Sequence, residues 1–516
     1  MKQSTPKTIA AAAVIAVSGA ALAGTQAGGD GKHECVVRKA TPNWMPGAEG
    51  EWGDTLGVLS LSHNGRYVAY SSYTTLYLPN AGQMHGHIQQ IIVRDTVTQQ
   101  GELISAAYNP SKGETISANA HCEWYLDMSP NGRYVAFVSL ATNLTADEVS
   151  GQHYQVYVRD RQEQTTYLAS KSTKGEVAND WGSDVRVGVS NNGRVAFASR
   201  ANNLHPDQPI TMWAVYVHDI HTGVTELVSR DVFGNPATID TWGPSISADG
   251  NTVAFVGIAP LVPGMPFHSQ DVFVRDLAAG ITEIVSVDEN GANRPAAGGY
   301  FPRLSHDGNR VAFRYDNPAS SLDPNFPPGY FDVVYVRDRA ANRTVGLNRT
   351  WDNQPATLNP EGGFTLSGDG AYLAWDSIDQ VTPEPVSPIW HVYRTHVDSL
   401  NTTLVTIDPW CQPVPKQHDM MWSAISGDGH HVVFNSMWNI MQSDDFDWSR
   451  HLYVWVDPAG PQPNPADLNN DGVVDVQDLL ILLVAWGPCG DECPADLNGD
   501  GVVDVLDLLF LLGNWG

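Results

Sequence analysis

Seven copies of a short element, Ser-x-Asn/Asp-Gly, constrain this chain more than any other feature. The glycines stand at positions 65, 132, 193, 250, 308, 370 and 429, and the serine is present in every copy. Asn-Gly and Asp-Gly pairs tolerate the positive φ angles of a tight hairpin turn. The sequence therefore predicts seven hairpins, and such regular recurrence indicates an array of similar units.

Each turn is followed by an aliphatic, a small and an aromatic residue, as in Val68-Ala69-Tyr70 and Val253-Ala254-Phe255. Successive side chains of a strand point to opposite faces, so the large residues should share one face and the small residue the other. A third strand ending in Arg-Asp or His-Asp follows in five copies, and a fourth ends most copies, as in Glu283-Ile284-Val285-Ser286. Four strands in each of seven copies predict an all-β, seven-bladed β-propeller.

The two ends of the repeat region predict how the ring closes. The seventh copy runs out at Asp457 without a fourth strand, whereas residues 34–38 near the start of the chain resemble the fourth strands of other copies. An open ring would leave sheet edges exposed. We therefore expect residues 34–38 to complete the seventh blade, giving 28 strands.

The repeats over residues 34–457 resemble the TolB-type, WD-like propellers of exported bacterial proteins. This resemblance implies the fold and says little about activity, because such propellers serve as binding proteins, lyases and domains attached to peptidases.

Loop lengths predict a functional face. Turns between first and second strands, and between third and fourth strands, are short, whereas the other two classes of connection are long and should share one rim. Tryptophans concentrate in these long connections, where they could stack on sugar rings, anchor a protein or cap the core. We expect Trp438, Trp448, Trp181 and Trp390 to face a ligand, and we expect structural roles for Trp124, Trp242 and Trp422.

Signals of catalysis are weaker. His85 and His87 could bind a transition metal together with His121 or His418, although solvated loop histidines are the simpler interpretation. Oligogalacturonate lyases use similar propellers with metal-binding histidines, but no further ligands can be matched here. No Gly-x-Ser-x-Gly motif is present, and the recurring Arg-Asp pairs favour a role in supporting turns. No catalytic residue is assigned.

A second domain follows a proline-rich linker at residues 458–465. Residues 466–516 contain ten acidic residues, no Lys or Arg, and two similar segments offset by 29 residues. Each segment places oxygen ligands, and a backbone carbonyl at its seventh position, in the register of a calcium loop. The expected ligands of two calcium ions are Asp467, Asn469, Asp471, Val473, Asp475 and Asp478, and Asp496, Asn498, Asp500, Val502, Asp504 and Asp507.

An apolar helix should follow each loop, at Leu479–Trp486 and Leu508–Trp515. The two helices could pack together, and we expect part of their remaining apolar surface to bind a partner. Paired loop-helix units of this kind resemble dockerins, which implies a small α-helical, EF-hand-like domain that docks to a cohesin-like protein in the presence of calcium. Positions 10 and 11 are Val476 and Gln477, then Val505 and Leu506, instead of the common Ser or Thr. A cell-envelope component is therefore an alternative receptor.

The start of the chain has the pattern of a secretory signal. Lys2 and Lys7 precede an uncharged, Ala-rich run, and cleavage is expected after Ala23, giving a signal peptide at residues 1–23. A membrane anchor is the alternative, although the run is short for one. We expect a protein that is extracellular, periplasmic or on the cell surface, with no transmembrane segment after cleavage.

An exported chain can form disulfides, and Cys489 with Cys493 is the expected pair, with zinc binding the weaker alternative. The remaining cysteines, Cys35, Cys122 and Cys411, are not assigned. The 57 acidic against 29 basic residues give a net charge of −28, which argues against nucleic-acid binding through phosphate attraction. A hydrophobic content of 42% argues against a disordered chain.

These features favour an exported, non-catalytic protein whose propeller binds a glycan or a protein through the long-loop face, while the dockerin-like domain attaches it to a larger assembly. The alternative is a carbohydrate-active enzyme, either a polysaccharide lyase or a glycoside hydrolase. A purely scaffolding propeller ranks third.

Overall fold

The fold is taken from a computed structural model of the chain. It describes residues 36–39, 56–73, 88–98, 100–109, 116–208, 210–258, 260–265, 270–292, 298–316, 321–327, 332–358, 363–383, 386–407, 413, 422–438, 446–457, 466–468, 474, 476–488, 493, 495–498 and 502–515. Only the backbone is described at residues 36–39, 56–57, 183–185, 436–438 and 446–451.

Twenty-eight strands build seven four-stranded sheets. The first strand is β1 (Val36–Lys39). Blades 1 to 3 consist of β2 (Leu56–Leu61), β3 (Tyr67–Ser72), β4 (Gln90–Asp95) and β5 (Gly101–Leu103); β6 (Cys122–Met128), β7 (Tyr134–Ser139), β8 (Gln155–Asp160) and β9 (Thr165–Leu168); and β10 (Gly182–Val189), β11 (Arg194–Ser199), β12 (Ala214–Asp219) and β13 (Thr225–Leu227).

Blades 4 to 6 consist of β14 (Thr241–Ile246), β15 (Thr252–Gly257), β16 (Asp271–Asp276) and β17 (Ile281–Ile284); β18 (Gly299–Leu304), β19 (Arg310–Tyr315), β20 (Val333–Asp338) and β21 (Arg343–Gly346); and β22 (Phe364–Leu366), β23 (Tyr372–Ser377), β24 (His391–His396) and β25 (Thr402–Leu404). Blade 7 contains β26 (Ser423–Ile425), β27 (His431–Trp438) and β28 (Phe446–Val456).

The N-terminal strand completes blade 7. In that sheet the strand order is β1-β28-β27-β26, and β1 pairs antiparallel with β28, with Val36 opposite Val456 and Lys39 opposite Tyr453. The other six blades are antiparallel sheets of four consecutive strands. The sequence-based prediction of a seven-bladed propeller closed by the N-terminal segment is confirmed.

The recurring serine elements form the turns between first and second strands, as predicted. All seven glycines have positive φ, between +70° and +78°. In blade 1, Ser62 Oγ donates to Asn64 Oδ1 at 2.8 Å and accepts from the Tyr67 backbone N–H at 2.9 Å. The serine hydroxyl therefore links the turn to the start of the second strand. The same two hydrogen bonds occur in the other six blades.

Neighbouring turns are also joined to one another. Backbone N–H groups of one turn donate to the next, in the order His63 to Pro130 (2.7 Å), Asn131 to the Asn191 side chain (2.9 Å), Asn191 to Ala248 (2.8 Å), Ala248 to His306 (2.9 Å), His306 to Gly368 (2.7 Å), Asp369 to Gly427 (2.9 Å) and Asp428 to His63 (3.0 Å). These bonds form a closed circle. The innermost turns of all seven blades are thus tied together around the axis.

Among the described residues of the propeller, the hydrophobic core consists of seven clusters, one between each pair of adjacent blades. Val253 and Phe255 of β15 pack toward blade 3, whereas Ala254 between them packs toward blade 5. The predicted division of large and small residues is therefore confirmed. Truncating a buried Phe of this kind to Ala typically costs about 3–5 kcal/mol, so each interface is a major source of stability.

The Arg-Asp pairs that end third strands have structural roles, as the sequence favoured. Asp160 Oδ1 accepts the backbone N–H groups of Gln162 and Glu163 at 2.9 and 3.1 Å. Arg159 reaches Thr166 of the fourth strand at 3.2 Å. In blade 3 the Arg is replaced by His218, which lies 2.8 Å from Thr225 Oγ1.

The C-terminal region contains two short helices, α1 (Val476–Val484) and α2 (Val505–Gly513). Two-residue strands, β29 (Gly487–Pro488) and β30 (Val502–Val503), pair between them. Leu482 and Leu511 are buried together with Val474 and Val503, so the helices share a small core. Among the described residues, no helix is long and apolar enough to cross a membrane.

Removing β1 tests ring closure. A chain that begins at residue 40 should unfold about 5–10 °C below one that begins at residue 30, because β28 loses its outer partner. Thermal unfolding of the two truncations measures this difference. Equal midpoints would show that β1 does not hold the ring.

Three buried histidines should sensitise the fold to acid. Burial lowers the pKa of His218, His306 and His391 to about 4. The unfolded chain, with a histidine pKa of about 6.5, binds more protons between these values, so stability is present above pH 6.5 and is lost as the pH falls toward 4.

The variant His218→Gln isolates one of these contributions, because all other titrating groups are unchanged. Between pH 7 and pH 5 the wild type should lose about 1–2 kcal/mol more free energy of unfolding than the variant. Urea titrations at the two pH values measure this. Parallel pH profiles would contradict the assignment.

Candidate ligand site in the propeller bore

The first strand of each blade lines the axis of the ring. In five of these strands the pairing with the second strand shifts register, as between Tyr300 and Arg303 in β18. Gly243 and Phe301 occupy equivalent positions in these bulges and have positive φ values of 61° and 53°. A non-glycine residue in this region is strained, which makes the Phe301 segment a candidate functional site.

The innermost strands enclose a space around the axis, which we call the bore. Arg186 and Phe301 form the layer of this bore that lies farther from the tight turns. Arg186 comes from blade 3, and its guanidinium carbon lies 5.0 Å from the ring centroid of Phe301 in blade 5. The contact skips blade 4, so the arginine extends across the inner space. Burial, followed by repulsion from Arg303, lowers the pKa of Arg186 well below its usual range.

Arg303 and Asp127 form the next layer toward the tight turns. Burial lowers the pKa of Arg303, an effect that the charge of Asp127 opposes. Asp127 accepts from Ser60 Oγ at 3.1 Å and from the Val189 backbone N–H at 3.0 Å, so it bridges blades 1, 2 and 3. Burial raises the pKa of Asp127 to about 6, although these bonds and Arg303 act in the opposite direction.

Two imidazoles narrow the bore at its tight-turn end. The rings of His63 and His306 lie 5.5 Å apart between centroids, at an angle of 46°. A Cβ atom at Gly368 would lie 2.0 Å from His306, and one at Gly427 would lie 2.2 Å from His63. Glycine is therefore required at both positions to accommodate the imidazoles.

Aromatic residues surround part of the opposite mouth. Trp181, immediately before β10, is 41% exposed and lies 5.4 Å from Tyr154 and 6.5 Å from His153 between ring centroids. Trp124 in β6 is 49% exposed. Both tryptophans therefore present ring surface to solvent at the ends of innermost strands.

The structure places the other tryptophans differently from one another. Trp242 and Trp422 pack against core clusters, which agrees with the structural role expected for them, whereas Trp124 is exposed instead. Trp390 is half-buried against the cluster between blades 6 and 7. Trp438 lies in β27 opposite Phe446, and Trp448 lies in β28, with their side chains outside the described part.

The histidines proposed as metal ligands are not brought together by the described residues. His121 is exposed and accepts the Gln89 backbone N–H at 3.2 Å, while His85, His87 and His418 fall outside the described ranges. Within those ranges, no three His, Cys, Asp or Glu side chains form a metal-binding group.

The second calcium loop is described in part. Asp507 accepts the backbone N–H groups of Leu497 and Asn498 at 2.8 and 3.1 Å, which joins the two ends of the loop. It also accepts the Asp504 N–H at 2.8 Å, and Asp504 accepts the Leu506 N–H at 2.7 Å at the start of α2. These contacts, with the oxygen donors Asp496 and Asn498, fit a calcium-binding loop.

Of the other predicted calcium ligands, three lie within the described residues. Asp467 is half-buried, Asp478 is buried and Val502 is exposed. Asn469, Asp471, Val473, Asp475 and Asp500 lie outside the described residues, so both calcium sites stay predictions.

The helices keep much apolar surface in contact with solvent. Leu480 and its counterpart Leu509 are 56% and 59% exposed, and Trp486 and Trp515 are 48% and 46% exposed. Mutual packing therefore accounts for only part of their apolar character, and the duplicated sequence produces two similarly exposed helix surfaces.

The cysteines are resolved in part. Cys493 is disulfide-bonded, and its expected partner Cys489 lies outside the described residues, so this pairing stays a prediction. Cys122 is a buried free thiol, and burial raises its pKa to about 12.

Sequence reasoning missed the bore residues. Arg186 and Arg303 lie four and two residues before the repeat serines Ser190 and Ser305, at positions that face the axis. Other copies place Val, Tyr, Gly, Phe or Trp at the first of these positions and Ser, Asp, Gly, Thr or Ala at the second. Aligning the copies on their serines and asking where a charge interrupts the pattern would have identified both arginines.

No known protein family matches the chain, and no curated protein matches it in sequence. Among solved structures, it is similar to an oligogalacturonate lyase from Vibrio parahaemolyticus, with 13% identity and a TM-score of 0.46 over 81% of this chain and 93% of that chain. It is also similar to the β-propeller domain of the Trilobed protease from Pyrococcus furiosus, with 11% identity and a TM-score of 0.43 over 80% and 100% of the two chains. For TolB from Acinetobacter baumannii the values are 14% and 0.34 over 72% and 76%. At these identities the likeness concerns the fold alone.

Proposed function

We propose that this protein is an exported binding protein whose propeller takes a glycan at the long-loop mouth of its bore. The observation that carries the proposal is the cluster of Trp181, Tyr154 and His153, with Trp124 also exposed on the first strand of blade 2. Flat aromatic surfaces held at fixed angles suit stacking on sugar rings. A protein ligand is the competing occupant of the same face.

In this proposal the C-terminal domain attaches the propeller to a receptor. Its two loops would each hold a calcium ion, and the exposed apolar helix surfaces would dock to a cohesin-like protein or a cell-envelope component. The signal pattern at residues 1–23 accounts for delivery to an extracellular, surface or periplasmic location.

A second candidate is a carbohydrate-active enzyme, either a lyase or a glycosidase. One observation favours it: Asp127 lies in the bore, and burial raises its pKa to about 6. A carboxyl group with this pKa can exchange a proton near neutral pH, as a general acid or base must. Unsaturated products or new reducing ends released from a polysaccharide, and lost in Asp127→Asn, would favour this candidate.

The glycan proposal is tested with Trp181→Ala on a glycan array and by calorimetry. Loss of one stacking platform should weaken binding of the selected glycan about 5-fold, since stacked aromatic contacts contribute on the order of 1 kcal/mol. The matched control is Trp351→Ala, because Trp351 is also exposed but lies in the hairpin closed by Arg349 and Pro355. Glycan binding unaffected by Trp181→Ala, or no glycan bound at all, would contradict the proposal.

The calcium proposal is tested on the full chain after treatment with a chelator. Calcium titration should show two ions bound, and Asp496→Ala should remove one of them, because it deletes the first ligand of the second loop. Asp491→Ala is the control, since Asp491 is acidic but lies between the loops. Absence of calcium binding, or equal binding by Asp496→Ala, would refute the assignment.

A further inference from the structure

We propose that Glu123 binds the ammonium group of an amino sugar whose ring stacks on Trp181. This inference deepens the proposed glycan-binding function and rests on it for the sugar ring. The carboxylate of Glu123 provides the charge, and Trp181 with Tyr154 provides the flat surface. The ligand class is therefore a glycan that carries free amino groups.

The first argument is that this carboxylate belongs to the aromatic cluster at the long-loop face. Glu123 is the second residue of β6, and it accepts a hydrogen bond from the Tyr154 hydroxyl. The ring of Tyr154 lies 5.4 Å from that of Trp181 between centroids, at an angle of 54°. Tyr154 thus connects the carboxylate to the exposed indole of Trp181. A cation that contacts Glu123 is also close to aromatic rings, which attract cations themselves.

The second argument is that no cation of the described residues neutralises this carboxylate. Glu123 is half-buried and forms no ion pair with a basic side chain in the described ranges. Burial, the hydrogen bond to Glu123 and the negative charge of Glu123 raise the pKa of Tyr154 to about 12, and no positive charge opposes them. The backbone N–H of Arg200 donates to the Trp181 carbonyl at 3.1 Å, yet the charge of Arg200 does not act on Tyr154. A half-buried carboxylate in such surroundings favours an added cation.

The third argument is that the cluster is held in place between blades 2 and 3. The Gly182 backbone N–H donates to the Tyr154 carbonyl at 2.8 Å, and Ser199 Oγ donates to the Trp181 carbonyl at 2.8 Å. A Cβ atom at position 182 would lie 3.0 Å from the Tyr154 carbonyl oxygen, so glycine allows this close approach. The two rings are therefore in position before a ligand arrives, and little conformational entropy is lost on binding.

The arrangement of the cluster favours an amino sugar over a basic peptide. A hexosamine carries its ammonium directly on the ring that stacks, so a single unit contacts both Trp181 and Glu123. A lysine side chain places its ammonium on a long flexible stem and offers no ring to stack. The net charge of −28 attracts cationic ligands in general, which increases the rate of encounter without selecting between these two.

The test uses the full chain and three probes: a glucosamine oligosaccharide, its N-acetylated counterpart and a tetralysine peptide. Calorimetry should show the glucosamine oligosaccharide binding about 10-fold more tightly than the N-acetylated one, because acetylation removes the charge and keeps the ring. Glu123→Gln should abolish this preference, since the amide keeps the shape of the side chain and can still accept from Tyr154. Thermal unfolding checks that each variant is folded.

Two further variants show whether the preference depends on this particular carboxylate. Glu148→Gln is the matched control, because Glu148 is exposed in the connection between β7 and β8 of the same blade. It removes the same charge from the same face and should retain the preference. Tyr154→Phe keeps both the ring and the carboxylate, so it should also retain most of the preference.

The outcomes separate this inference from the broader proposal. Equal binding of the two oligosaccharides by the wild type, with loss in Trp181→Ala, would leave glycan binding standing and overturn the amino-sugar assignment. A preference that persists in Glu123→Gln, or that falls equally in Glu148→Gln, would overturn the role of Glu123. Tighter Glu123-dependent binding of tetralysine than of the glucosamine oligosaccharide would overturn the sugar and the proposed function together. Binding of neither oligosaccharide, while another glycan binds through Trp181, would overturn this inference alone.

Discussion

The packing of small side chains from one blade against large ones from the next is the interaction on which the whole molecule depends. Ala196 and Ala198 of blade 3 meet Val253 and Phe255 of blade 4 in one buried cluster. No blade buries both of its faces alone, so every sheet requires two neighbours. Only a closed ring satisfies all seven, and the N-terminal strand is what makes the last sheet complete.

The bore follows from this arrangement. The large apolar side chains pack in the clusters between blades. The innermost strands can therefore contain bulges and differ in sequence without weakening the core. Turn bonds around the axis keep one end narrow, where His63 and His306 occupy space left by Gly368 and Gly427. Arginine can therefore appear at axis positions where other blades carry serine or glycine, and the scaffold tolerates its unfavourable charge.

The sequence was informative wherever a residue had the same task in every copy. Serine turns, the alternation around Ala254 and the closing strand could be predicted because seven repetitions separate a rule from chance. An alignment of the copies marks the two bore arginines as exceptions, but it does not show what they contact, because their neighbours come from blades far away in the chain. Arg186 meets Phe301 across 115 positions, and no local pattern encodes that distance.

The exposure of the tryptophans also could not be predicted from their position in the repeat. Equivalent spacing before the repeat serine suggested one role for Trp124 and Trp242, yet the first is exposed and the second packs in a cluster. Their surroundings depend on the connecting loops, which differ among blades in length and composition. Exposure therefore has to be read from the structure, whereas strand identity can be predicted.

The pairing of β1 with β28 also dictates an order of events during folding. The two strands are joined by some 400 residues of intervening chain, so the contact with the largest separation along the sequence is also the one that finishes the architecture. During synthesis from the N-terminus, β1 must stay unpaired until β28 of the last blade has been made. Intermediates with six assembled blades will carry two unsatisfied edges, and these are the species that a chaperone would have to shield.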